Sequence, residues 1–87
     1  MSKKFNHIAL TVRSGRLASG LSQNQLSHKL GYKNGQFISN VERGLCSVPA
    51  DSIVRLAKAI EIDPGSLIQA AVADYKDYLV STLKIAA

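Results

Sequence analysis

The chain has 87 residues, of which 46% are hydrophobic and 20% charged, with a net charge of +5 and a pI of about 9.7. That length fits one small domain and leaves no room for a second core, while the composition excludes intrinsic disorder. A single cysteine, Cys46, excludes an intrachain disulfide and a cysteine metal cluster.

No apolar run approaches the roughly 20 residues of a membrane span, and no signal peptide follows Lys3 and Lys4, so the expected compartment is the cytoplasm. The charge is unevenly placed. Residues 1–48 hold Lys3, Lys4, Arg13, Arg16, Lys29, Lys33 and Arg43 against Glu42 alone. From residue 49 onward Arg55, Lys58, Lys76 and Lys84 face Asp51, Glu61, Asp63, Asp74 and Asp77. The N-terminal half is thus the one suited to a polyanion, although a basic half also serves an anionic membrane or plain solubility.

Ile8, Leu10, Val12, Leu17 and Leu21, with Ala9 and Ala18, recur at near-helical spacing and predict a first helix from about Asn6 to Ser19. Gly20 supplies its stop. Ser22 is an N-cap whose hydroxyl accepts from the amides of Asn24 or Gln25, opening a second helix that ends near Leu30 and buries Leu26 and Leu30. Gly31 to Gly35 reads Gly-Tyr-Lys-Asn-Gly, a dense turn. A third helix is expected from about Gly35 to Arg43 with Phe37, Ile38 and Val41 inward and Gly44 as its C′ residue. Pro49 suits the first turn of a fourth helix with the stripe Ile53, Leu56, Ala57 and Ile60. Asp63-Pro64 marks N-cap and N1 of a fifth, from Pro64 to Leu83. The fold class is all-α, with about five helices and a long C-terminal one.

Two short helices joined by a glycine turn, with basic residues around them, form a helix-turn-helix. In that arrangement the first helix braces against the DNA backbone and the second enters the major groove. The stretch GLSQNQLSHKLGYKNGQFISNVERG resembles the Cro and lambda-type repressor (XRE) family. Leu21, Ser22, Gln23, Leu26, Gly31, Ile38, Ser39, Glu42 and Gly44 meet its pattern. Leu56-Ala57-Lys58-Ala59-Ile60, Asp63 and Leu67 resemble its fourth and fifth helices, so the likeness covers roughly residues 9–68. One residue more than the usual spacing lies between Gly31 and Ile38, which places an insertion around Tyr32 to Gly35.

Counted back from Ile38, Gly35 and Gln36 open the recognition helix and Asn40 follows one turn later. Gln and Asn carry paired donor and acceptor groups that match the N6 and N7 edge of adenine, which makes Gln36 and Asn40 candidates for base readout; a solvated polar face is the plainer alternative. Gly35 either admits a phosphate close to the backbone or simply forms the turn. The resemblance implies that Gln23 holds a phosphate and that Arg16 and Glu42 form the pair linking the first helix to the third. Lys33, Asn34, Ser39 and Arg43 are placed to touch the DNA backbone on either side of the groove. Lys3 and Lys4 read as a frayed terminus rather than a DNA-binding arm. His7 and His28 read as surface or packing residues, with no metal or other cofactor, and Cys46 as a small loop or core residue.

Leu67, Ile68, Ala71, Val72, Tyr75, Tyr78, Leu79 and Leu83 form an apolar stripe that outruns a four-helix core. Residues 1–68 are therefore expected to form the helix-turn-helix domain and 69–87 a helical extension. The extension, through Tyr75, Tyr78, Leu79 and Leu83, is expected to pair with a second copy, with folding back on its own core or binding a different protein as the alternative. The implied function is a sequence-specific regulator of transcription, a repressor that binds palindromic double-stranded DNA as a cytoplasmic, nucleoid-associated homodimer. An antitoxin or restriction-controller protein of the same fold, or an interaction module that has lost DNA binding, are the alternatives. No nucleophile-base pair, phosphate loop or paired carboxylates point to an enzyme, and neither a small-molecule ligand nor a membrane partner is expected.

Overall fold

The computed structural model describes residues 4–85. The chain runs α1 (Asn6–Ala18), α2 (Gln23–Lys29), α3 (Gln36–Glu42), a 3-10 turn (Ala50–Ser52), α4 (Ile53–Ala59) and α5 (Pro64–Leu83). No strand occurs among the described residues. Ile8 and Val12 of α1, Leu26 and Leu30 around the end of α2, Ile38 and Val41 of α3, Leu56 and Ile60 of α4, and Leu67 of α5 form the core.

The buried side of α1 is Ile8, Ala9, Val12, Gly15 and Arg16. Leu10 and Leu17, counted in the same near-helical spacing, are exposed. The reason is angular: at 100° per residue they fall outside the arc set by positions 8, 12 and 15–16. Gly15 lies where α1 meets the end of α4, and a Cβ there would stand 2.8 Å from Ile60 Cδ1. Ser19 Oγ donates to the Ile60 carbonyl at 3.0 Å across the same junction.

The N-terminus of α1 is capped from far along the chain. Phe5 contributes no side-chain cap. Instead the buried Asp74 carboxylate of α5 accepts from the backbone N–H of His7 at 2.7 Å and of Ile8 at 3.0 Å. A carboxylate here satisfies two orphan donors and faces the positive end of the helix dipole. His7 Nε2 lies 3.0 Å from Asp77 Oδ2, one turn further along α5, so that histidine belongs to the same α1–α5 junction.

Ser22 caps α2 as expected, accepting from Gln25 N at 3.0 Å, and Gln25 Oε1 accepts in return from Ser22 N at 2.8 Å. This is a reciprocal capping box. The half-buried rings of Tyr32, in the turn before α3, and Phe37, in α3, stack at 4.7 Å. Gly44 ends α3 with φ +75, with Gly44 N donating to Val41 O and Leu45 N to Asn40 O, each at 3.0 Å. These paired bonds are a Schellman stop.

Lys3 lies outside the described residues. Lys4, expected to fray, donates its backbone N–H to the Gly44 carbonyl at 3.2 Å, which ties the start of the chain to the end of α3.

Pro49 does not open α4. It precedes the 3-10 turn, with α4 starting at Ile53. The helix then ends on Glu61 at φ 59, with Ile62 N donating to Ala57 O at 2.9 Å. Glycine normally fills such a position, so the sequence carries no mark of the stop.

Asp63 and Pro64 begin α5 as expected. The single apolar stripe foreseen on this helix divides in two: Leu67, Ala70 and Asp74 face the core, whereas Ile68, Val72, Tyr75, Tyr78 and Leu83 are exposed and Leu79 is half-buried. The exposed apolar surface thus begins at Ile68, well before Tyr75. The helix runs unbroken through residues 68 and 69.

Candidate nucleic-acid interface

Arg16 projects from α1 onto the back of α3. Its Nε donates to Glu42 Oε2 at 2.6 Å and its Nη2 to Glu42 Oε1 at 2.9 Å, a bidentate fork with only 10% and 2% of the two side chains exposed. A third donor, Nη1, reaches the Leu21 carbonyl at 2.9 Å, in the link between α1 and α2. The hydrogen bond to Glu42 raises the Arg16 pKa above its ordinary value; burial opposes this and the carboxylate's charge adds to it. Gln23 Nε2 donates to Glu42 Oε1 at 3.3 Å. One carboxylate thus ties α1, the start of α2 and the end of α3 together, fixing the recognition helix against its brace.

A shallow groove of about 420 Å³ lies elsewhere, between Phe5 and α5; the groove at the helix-turn-helix is about 310 Å³ and is lined by Gln23, Asn24, Asn34, Gly35, Gln36 and Ser39. Five of the expected DNA-facing residues therefore converge where the starts of α2 and α3 meet. Asn24 completes the set and was not singled out from sequence; its place beside Gln23 in the first turn of α2 is the signal that would have found it.

Gly35 is the N-cap residue of α3. A Cβ there would stand 2.6 Å from Asn24 Oδ1 and 3.3 Å from both Asn24 N and Gln23 C. With φ at −80, the constraint is space rather than backbone conformation: this glycine lets α3 approach α2. Asn34 Oδ1 accepts from Gln36 N at 2.9 Å, an Asx turn that supplies the cap Gly35 lacks. Gln36 is exposed at the first position of α3, and its Nε2 donates to Asn40 Oδ1 at 2.9 Å. Lys33 and Arg43 are exposed at opposite ends of α3, outside the groove. The Lys33 carbonyl lies 3.1 Å from His28 Nε2, so that histidine helps close the turn.

Cys46 is half-buried, and burial raises its thiol pKa. Among the described residues no group of three or more His, Cys, Asp or Glu is placed to hold a metal, and no helix is long and apolar enough to cross a membrane.

A fixed pair of short helices presenting polar side chains and flanking cations defines a helix-turn-helix DNA-binding regulator of transcription. The chain belongs to the XRE-type helix-turn-helix family, whose family model matches residues 12–67. Among solved structures it is similar to the restriction-modification controller protein C.AhdI from Aeromonas hydrophila, with 33% identity and a TM-score of 0.65 over 72% of this chain and 90% of that one. It is also similar to NHTF, a hypothetical transcription factor from Neisseria, with 26% identity and a TM-score of 0.64 over 71% of this chain and 70% of that one. The wild-type restriction-modification controller protein C.Esp1396I, 19% identical, shares the fold at a TM-score of 0.64 over 86% of this chain and 95% of that one. No curated protein sequence matches.

Proposed function

We propose that this protein is a sequence-specific transcriptional repressor that occupies palindromic operator DNA in the cytoplasm as a homodimer. The observation that carries the reading is the Arg16–Glu42–Gln23 network, which ties α3 to α1 and α2 on the basic half of the chain, with Gln36 of α3 exposed and Asn40 half-buried. Gln36 and Asn40 read bases. Gln23, Lys33, Asn34, Ser39 and Arg43 hold phosphates. Residues 69–87 act as the dimerisation segment through Tyr75, Tyr78, Leu79 and Leu83, with Ile68 and Val72 continuing the same exposed surface. Two recognition helices would then sit about 34 Å apart, one turn of DNA, and select an inverted repeat.

A role as a restriction-modification controller is the second reading, favoured by the likeness to C.AhdI. Nuclease and methyltransferase genes beside this one, with the selected site between them, would support it.

Binding to duplex DNA is expected to weaken steeply as salt rises, because phosphate contacts release counterions. The Gln36→Ala variant is expected to lose about 1 to 3 kcal/mol on the selected site while keeping non-specific affinity. Measured by fluorescence anisotropy, absence of affinity for any duplex at low salt would refute the reading. An equal loss on every sequence would move Gln36 to the phosphate contacts.

A further inference from the structure

Gln36 and Asn40 stand one turn apart on α3 and are joined by a hydrogen bond from Gln36 Nε2 to Asn40 Oδ1 at 2.9 Å. The bond changes what each side chain has left to offer DNA. A carboxamide carries two N–H donors and one carbonyl acceptor. With one Nε2 hydrogen engaged, Gln36 keeps one N–H donor and its carbonyl acceptor. That pair complements adenine, which presents N7 as acceptor and the N6 amino group as donor. Against guanine, whose N7 and O6 are both acceptors, the Gln36 carbonyl faces a second acceptor and the amide has no further hydrogen to give.

Asn40 is altered in the opposite sense. Gln36 occupies one of the two lone pairs of Asn40 Oδ1, which leaves the Nδ2 amino group, with two donors, as the larger contribution of Asn40. A donor suits any major-groove acceptor, whether guanine O6 or N7, thymine O4 or adenine N7, and finds none on cytosine. The base of the pair is also held. Asn34 Oδ1 accepts from Gln36 N, which fixes the first turn of α3, and Asn40 is half-buried, which limits its rotamers.

We infer that Gln36 and Asn40 read DNA as one hydrogen-bonded unit, in which Asn40 orients the Gln36 amide onto adenine and itself donates to an acceptor-bearing base, not cytosine, on a neighbouring base pair. Asn40 is therefore a specificity-determining residue for a base it does not touch. The inference rests on the DNA-binding reading and adds to it a rule for two adjacent positions.

The test uses the full chain and a random duplex pool. Wild-type protein is expected to select a site with adenine at one position and a base other than cytosine beside it. Affinities of wild type, Gln36→Ala, Asn40→Ala and the double variant are then measured on that duplex and on duplexes changed at each position. The Asn40→Ala variant is expected to lower the preference at the adenine position about tenfold, as well as at its own. In the double variant the two losses should be smaller than the sum of the single ones. Replacing that adenine by 7-deazaadenine removes the N7 acceptor and should weaken wild type but not Gln36→Ala. Retained non-specific binding shows that each variant is folded. If Asn40→Ala leaves the adenine preference intact, or the losses simply add, the linked pair is overturned while DNA binding stands. If wild type binds no duplex, both fall together.

Discussion

The face built from α2 and α3 and the outward face of α5 are both exposed, yet they are constructed in opposite ways. On the first, the polar side chains are held by hydrogen bonds: Ser22 and Gln25 each accept from the other's backbone N–H, Asn34 accepts from the backbone N–H of Gln36, Arg16 and Gln23 donate to Glu42, and Gln36 donates to Asn40. On the second, Ile68, Val72, Tyr75, Tyr78 and Leu83 stand in solvent with apolar neighbours, the rings of Tyr75 and Tyr78 stacked at 6.2 Å. Hydrogen-bond readout is directional and loses affinity if donors must be ordered on binding, so a polar face gains from being fixed beforehand. Apolar association is non-directional and scales with area, so the α5 face needs only to be broad and continuous. Asp74, which faces the core and caps α1, anchors the helix that carries this second surface.

The sharpest break of the first region is Arg16→Met. It leaves the Glu42 carboxylate buried with Gln23 as its remaining partner, and is expected to cost about 3 kcal/mol in urea unfolding. The double variant Arg16→Met with Glu42→Leu should recover part of that loss, since no uncompensated charge remains. Equal stability of the single variant and wild type would show that the pair does not organise the domain. Next comes the anchor between the regions. Asp74→Ala removes the acceptor for two backbone donors and should cost about 2 kcal/mol, with amide exchange of His7 and Ile8 rising more than that of α3. Uniform acceleration across the chain would contradict a local cap.

Gly35→Ala tests how tightly α2 and α3 are apposed. Displacing Asn24 is expected to cost about 1 kcal/mol in thermal unfolding, and DNA affinity should fall with it. A gain in stability would mean that the Asn24 side chain simply swings aside. The smallest effect on folding is expected on the α5 face, where Val72 is 62% exposed. Val72→Glu should change unfolding free energy by no more than about 0.5 kcal/mol, yet halve the mass in sedimentation if the proposed dimer uses this face. An unchanged mass would release the surface for a different partner.

Much of this was legible in the chain itself. Local signals named the helices: Ser22 before α2, Gly31 and Gly44 after α2 and α3, and Asp63-Pro64 before α5 all mark ends whose chemistry lies within a few residues. The stop of α4 was not legible because Glu61 takes the left-handed conformation without being glycine. The exposure of Leu10, Leu17, Ile68 and Val72 was not legible, because a hydrophobic residue near an apolar stripe does not show which arc of the helix will find a partner. For the site, residue types and family likeness picked out Gln36, Asn40, Gln23 and the Arg16–Glu42 pair. They did not disclose the bond between Gln36 and Asn40, because spacing by four permits that contact without requiring it.

The sequence alone determined an all-α helix-turn-helix chain with a basic N-terminal half and a long last helix, because periodicity, caps and charge are written in neighbouring residues. Tertiary structure decided how those parts are used. It brought Asp74 onto α1 across more than 60 residues of chain, joined Glu42 to both Arg16 and Gln23, and set Gly35 where a Cβ would meet Asn24 of α2. Contacts of that kind depend on where whole helices come to rest, and no local pattern encodes them.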